Sequence, residues 1–171
     1  MEEADGVGEE TLFDESLKKF MSRLDDGSED RNKVLSNIGS LQEALEITDE
    51  QTHEYYTFAR NLCKDKQFEK AQEVFVTLAS LNPNVAEYWM GIGYCCKEQD
   101  LHEDAVLHYT IAKAVNSESP FPYYNLAESY LILNEYGKGE DSIDTCISLC
   151  TGKTEYSDLL ERAKVLKQKF N

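Results

Sequence analysis

The chain has 171 residues, 41% of them apolar, enough for one compact domain with a continuous core and little beyond it. A formal net charge of −16, with a pI near 4.5, repels phosphate backbones and anionic head groups, which argues against nucleic acid or a membrane surface as partner. No run approaches the ~20 apolar residues of a membrane span, and MEEADGVGEE at the start lacks the basic and apolar regions of a secretory signal, so a cytosolic protein is expected.

The acid is concentrated upstream, where residues 1–50 hold 15 acidic and 5 basic side chains, and residues 1–10 read as a disordered acidic tail. Phe13, Leu17, Phe20 and Leu24 then recur at helical spacing, as do Val34, Ile38, Leu41 and Leu45 after the polar break Asp25-Asp26-Gly27-Ser28. Both stripes, within residues 11–51, read as amphipathic helices that either cap the body that follows or, for the Phe13 to Leu24 stripe, serve as a dimerisation or partner arm. From residue 52 the pattern predicts helices near 52–65, 68–81, 86–99, 102–115, 120–133 and 136–149. Pro83 and Pro120 stand where a helix cannot continue, and Asp100 with Glu103 has capping-box spacing. Beyond Gly152, the stripe Tyr156, Leu159, Leu160, Ala163 and Leu166 predicts a closing helix within 154–171.

Set out with a period of 34 residues, units 52–85, 86–119 and 120–153 align without insertions. The fourth place holds Tyr55, Trp89 and Tyr123, the seventh Phe58, Ile92 and Leu126, and the eleventh Leu62, Cys96 and Tyr130. The eighth place is small (Ala59, Gly93, Ala127), as is the twentieth (Ala71, Ala105, Gly139), and the twenty-fourth holds Phe75, Tyr109 and Ile143. Small residues at places eight and twenty let paired helices approach, while the large ones fill the layers between them. The pattern resembles the tetratricopeptide repeat, which implies an all-α stack of three helix-turn-helix units in a right-handed superhelix, with N-terminal helices and a C-terminal cap.

Little in the sequence points to chemistry. The five cysteines, Cys63, Cys95, Cys96, Cys146 and Cys150, lack CxxC spacing and fall mostly on apolar helical positions, which fits packed, reduced thiols. An oxidant sensor or metal pair at Cys95 and Cys96 meets the difficulty that successive helical side chains diverge by about 100°. Gly152-Lys153-Thr154 echoes a phosphate-binding loop, but Ile147 stands where its first glycine belongs, so the segment reads as a turn with Thr154 as N-cap. His102 and His108 are six apart and share no face, and His53 is remote, so all three read as surface or groove side chains. Carboxylates are too abundant to mark an acid–base pair. No metal, cofactor or catalytic residue is expected, and an enzyme has no support.

The first helix of each pair lines the concave face of such a stack. The tetratricopeptide resemblance assigns to that face His53, Tyr56, Arg60, Cys63 and Lys64; then Glu87, Met90, Tyr94, Lys97 and Glu98; then Phe121, Tyr124, Glu128, Leu131 and Ile132. Tyr56, Met90, Tyr94, Phe121 and Tyr124 are surplus to the core and suit an extended peptide with apolar anchors, unless they pack against the terminal helices. The basic and asparagine clamp of Hsp co-chaperones is missing, since Glu87, Glu98 and Glu128 stand on the matching face.

Over roughly residues 40–170 the chain resembles the class II chaperones of bacterial type III secretion. The likeness rests on Tyr55 to Ala59 with Gln67-Phe68-Glu69-Lys70-Ala71 through Phe75, on Trp89-Met90-Gly91-Ile92-Gly93-Tyr94-Cys95, on Pro120-Phe121-Pro122-Tyr123 with Ala127-Glu128, and on Lys153-Thr154-Glu155-Tyr156. The resemblance implies an ATP-independent chaperone of the bacterial cytoplasm whose groove takes an N-terminal segment of a hydrophobic translocator. It also implies self-association through an N-terminal helix, although residues 1–39 depart from the family pattern. A tetratricopeptide scaffold or regulator that gathers cytosolic proteins through the same groove is the alternative.

Overall fold

A computed structural model describes residues 40–170 together with Lys18, Lys19 and Ser22. Phe13, Leu17, Phe20, Leu24, Val34 and Ile38 lie outside the described residues. Within them the chain runs α1 (Leu41–Ala44), α2 (Asp49–Lys64), α3 (Phe68–Leu81), α4 (Ala86–Glu98), α5 (His102–Val115), α6 (Pro120–Ile132), α7 (Tyr136–Cys150) and α8 (Ser157–Lys167), with 3₁₀ turns at Thr154–Tyr156 and Gln168–Phe170. Each helix from α2 to α8 packs on its neighbour in sequence. The six repeat helices begin and end within three residues of the places the 34-residue register assigns them, and no described helix is long and apolar enough to cross a membrane.

The turn inside each pair is one motif used three times. Lys66, Asp100 and Asn134, at the same place in each unit, hold left-handed backbone with φ of 59°, 60° and 59°. The next amide donates back to a carbonyl of the first helix, Gln67 to Leu62, Leu101 to Cys96 and Glu135 to Tyr130, each at 2.9 Å. This closes the helix end as a Schellman motif with a non-glycine residue at the left-handed place. It corrects the capping box expected at Asp100 and Glu103: Asp100 is consumed in ending α4, and Leu101, without a side-chain cap, begins α5. The capping box present is at α2, where Thr48 Oγ1 accepts from the Gln51 amide at 3.2 Å and Gln51 Oε1 accepts from the Thr48 amide at 2.9 Å. Nor is Thr154 a side-chain cap: it opens a 3₁₀ turn after Gly152 (φ 80°), and α8 starts three residues later. A left-handed L-residue costs about 1–2 kcal/mol, only partly offset by the greater chain entropy of glycine, so Asp100→Gly is expected to raise stability by roughly 1 kcal/mol. Chemical denaturation of the variant beside the parent measures it.

The layers fill largely as the register requires. Ala59, Ala71, Ala105, Tyr109, Ala127 and Ile143 are fully buried, and Phe75 nearly so. A Cβ on Gly93 would lie 2.6 Å from the Tyr109 ring, so that glycine is set by close approach. Phe58 departs from the expectation, at 43% exposed, whereas Ile92 and Leu126 at the same place are buried. The second helix of the preceding unit covers place seven, and the first unit has none among the described residues. Leu45 and Ile47, at the end of α1, pack instead on Leu81 of α3.

His108 is half-buried rather than superficial, its ring stacked on Trp89 at 5.9 Å and 15°. Trp89 is itself held by its indole N–H donating to the Pro83 carbonyl at 2.8 Å. Burial lowers the His108 pKa from its ordinary value, against a smaller opposite pull from Asp104. The unfolded chain therefore binds the proton more readily, and this side chain's share of stability is full above its unfolded pKa, near 6.5, and declines as pH falls towards the folded one. His108→Gln should show a smaller drop in melting temperature from pH 7 to 5.5 than the parent.

Candidate functional site

The inner face is built from α2, α4 and α6, whose places five and nine repeat every 34 residues and so point the same way. On α2, His53, Arg60 and Lys64 are exposed and Tyr56 is half-buried. The Tyr56 ring meets Phe75 edge-on at 5.8 Å and Tyr88 at 6.0 Å, with the Arg60 guanidinium 5.9 Å from its centroid. Burial, and secondarily Glu87, raises the Tyr56 phenol against the pull of Arg60, so the ring stays neutral at physiological pH. Cys63 is partly exposed, its sulfur 3.7 Å from that of Cys95.

On α4, Glu87 and Glu98 are exposed and Met90 is half-buried against the core. Tyr94 is 38% exposed, resting edge-on against Phe68 at 6.1 Å with the Lys97 ammonium 5.7 Å from its ring. Lys97 also bridges to Glu128 of α6 at 3.1 Å, a partly exposed pair that ties adjacent units across the floor. Such a pair contributes at most about 1 kcal/mol, and it leaves Lys97 engaged rather than offered as a clamp for a carboxylate. On α6, Phe121 is 48% exposed and meets Tyr156 edge-on at 5.8 Å, Leu131 is half-buried and Ile132 exposed.

Tyr124 is placed differently from the sequence reading. It is only 7% exposed, packed among Ile143, Leu159 and Ala163, with the Arg162 guanidinium 4.7 Å from its ring centroid. The closing helix α8 lies where the first helix of a fourth unit would lie, and so covers the third unit's place five. Tyr56 and Met90 are likewise partly engaged in packing, which leaves Tyr94 and Phe121 as the rings most open to a ligand. Phe68 supports Tyr94, Tyr156 supports Phe121 and Tyr88 supports Tyr56, none of the three having been assigned to the groove from sequence. Place three of one unit meets place five of the unit before, as with Tyr88 and Tyr56, and this was the signal that could have located Tyr88.

Such a face can grip an extended chain: isolated rings with exposed edges, a flexible thioether between them, and mixed charges along both lips. Among the described residues no group of three or more metal-ligating side chains is assembled.

The tetratricopeptide repeat family model matches residues 122–151. A relative from Yersinia pestis, the low calcium response locus protein H, is 25% identical over 129 residues, covering 75% of this chain and 76% of its own length. The translocator chaperone SycD of Yersinia enterocolitica superimposes with a TM-score of 0.75 at 21% identity, over 77% of this chain and 98% of that one. SycD bound to a peptide of the translocator YopD gives 0.70 at 22%, over 73% and 95%. The resemblance read from the sequence is thus borne out, and the chain has the tetratricopeptide fold of the class II translocator chaperones of type III secretion.

Proposed function

We propose that this chain is an ATP-independent chaperone of the bacterial cytoplasm that holds hydrophobic translocator proteins of a type III secretion system soluble and ready for export. Its concave face takes an extended N-terminal segment of the client, with Tyr94 and Phe121 as the main apolar contacts, Tyr56 and Met90 behind them, and His53, Arg60, Cys63, Lys64, Glu87, Lys97, Glu128 and Leu131 lining the path. The observation that carries this reading is the pair of large rings left open on a face where Tyr56, Met90 and Tyr124 are drawn into packing. That SycD has been solved with a translocator peptide supports it.

In this reading residues 52–153 bear the groove, 154–171 close its far end and 11–51 cap the stack or pair two copies through Phe13, Leu17, Phe20 and Leu24. The acidic surface keeps a membrane-seeking client in solution, and the chain performs no catalysis. The test is dilution of a denatured translocator from the same secretion system into buffer with and without this protein, ATP absent. Retention of soluble client at stoichiometric protein supports the reading. No protection, with binding to a folded soluble protein instead, favours the scaffold alternative.

A further inference from the structure

Five cysteines are free, and four of them are buried. The exception, Cys63 of α2, is partly exposed on the inner face and sets its sulfur 3.7 Å from the sulfur of Cys95 on α4. The two are 32 residues apart and belong to successive units, so repeat stacking rather than local sequence brings them together. Burial disfavours the Cys63 thiolate and so does Glu98, against the hydrogen bond from Cys95 and a smaller pull from Arg60, one turn before it on the same face. Cys146 and Cys150 lie fully buried in α7, and Cys96 faces the core. One thiol is therefore reachable, and one partner stands beside it.

We propose that Cys63 is a site of oxidation by peroxides and that Cys95 resolves it into an intramolecular disulfide joining the first helices of units one and two. In the first step the Cys63 sulfur, having lost its proton, attacks one peroxide oxygen; the O–O bond breaks, and the departing hydroxide takes up a proton as water, leaving Cys63 as a sulfenic acid. In the second, the Cys95 sulfur attacks Cys63 Sγ; the S–S bond forms, the S–O bond breaks, and hydroxide leaves with the Cys95 proton as a second water. Two thiols are oxidised by two electrons and one peroxide is reduced to two waters. The sulfurs must close from 3.7 Å to about 2.05 Å.

The bond would tie the first helices of units one and two, as the Lys97–Glu128 pair ties those of units two and three. Because burial raises both thiols above the ordinary range, the reaction is slow at neutral pH and quickens as pH rises.

The experiment treats the whole protein, folded and without client, with excess hydrogen peroxide, then counts thiols after denaturation and maps cross-linked peptides by mass spectrometry. The expected result is a fall from five thiols to three, loss of the mass of two hydrogens, and a single cross-link between Cys63 and Cys95. Cys95→Ser should accumulate a sulfenic acid at Cys63 that dimedone traps, and Cys63→Ser should keep its four thiols. Five surviving thiols in the parent, a cross-link through Cys96 or between chains, or equal thiol loss in Cys63→Ser would each overturn the proposal. As no client is present, the outcome is independent of the chaperone reading.

Discussion

Gly93→Ala is expected to destabilise the protein by about 2 kcal/mol, and thus to lower its melting temperature by roughly 4–8 °C. Two effects oppose each other. Alanine is preferred over glycine in a helix by up to about 1 kcal/mol, but its methyl would sit 2.6 Å from the edge of the Tyr109 ring. That ring is fully buried, so it cannot swing aside. The other units show the compatible pairings: Ala59 with Phe75 in the first and Ala127 with Ile143 in the third.

The same logic makes the prediction a cycle. Tyr109→Ile alone should cost about 2–4 kcal/mol through the cavity it leaves, while the double variant, which copies the third unit's pair, should cost far less than the two added together. Thermal unfolding of the four proteins measures the coupling. Gly139→Ala is the contrast: its Cβ would meet Phe170 at 2.3 Å, but that ring is half-exposed on the terminal 3₁₀ turn and can move.

The larger functional effect is expected at the groove. Truncating Tyr94 and Phe121 together to alanine should weaken capture of an N-terminal translocator peptide about 100-fold, taking more than 1 kcal/mol for each ring. Both rings are substantially exposed and lean on one neighbouring ring each, Phe68 and Tyr156, so the fold should lose much less than a core truncation would cost. Tyr124→Ala, by contrast, should unsettle the packing of α8 and lower stability, because Tyr124 is covered by Arg162 and Leu159. The two variants separate ligand-binding rings from a structural one, Phe121 and Tyr124 standing one turn apart on the same helix.

The repeat body was legible from sequence because its signal is cumulative: a mismatch at one place is outvoted by agreement at the five others in three units. What escaped were the stack's ends and its turns. Phe58 obeys the register, but among the described residues no second helix of a preceding unit covers it. Tyr124 was read as open because α8 does not follow the repeat consensus; the 3₁₀ turn Thr154–Tyr156 delays the helix, and its position over the third unit emerges only in three dimensions. Asp100 has the side chain of an N-cap, but the Schellman closure of α4 claims it first, a competition that residue type alone does not decide. The thiol contact between Cys63 and Cys95 spans 32 residues and is made by the stacking of successive units, so no local spacing carries it.

The most direct measurement is co-expression of this protein with a translocator of the same secretion system, comparing the soluble client recovered with the parent and with the Tyr94→Ala/Phe121→Ala variant. Abundant client with the parent and little with a variant that remains folded is the expected result. Equal recovery with both, the variant folded, would contradict the assignment of the concave face as the client site.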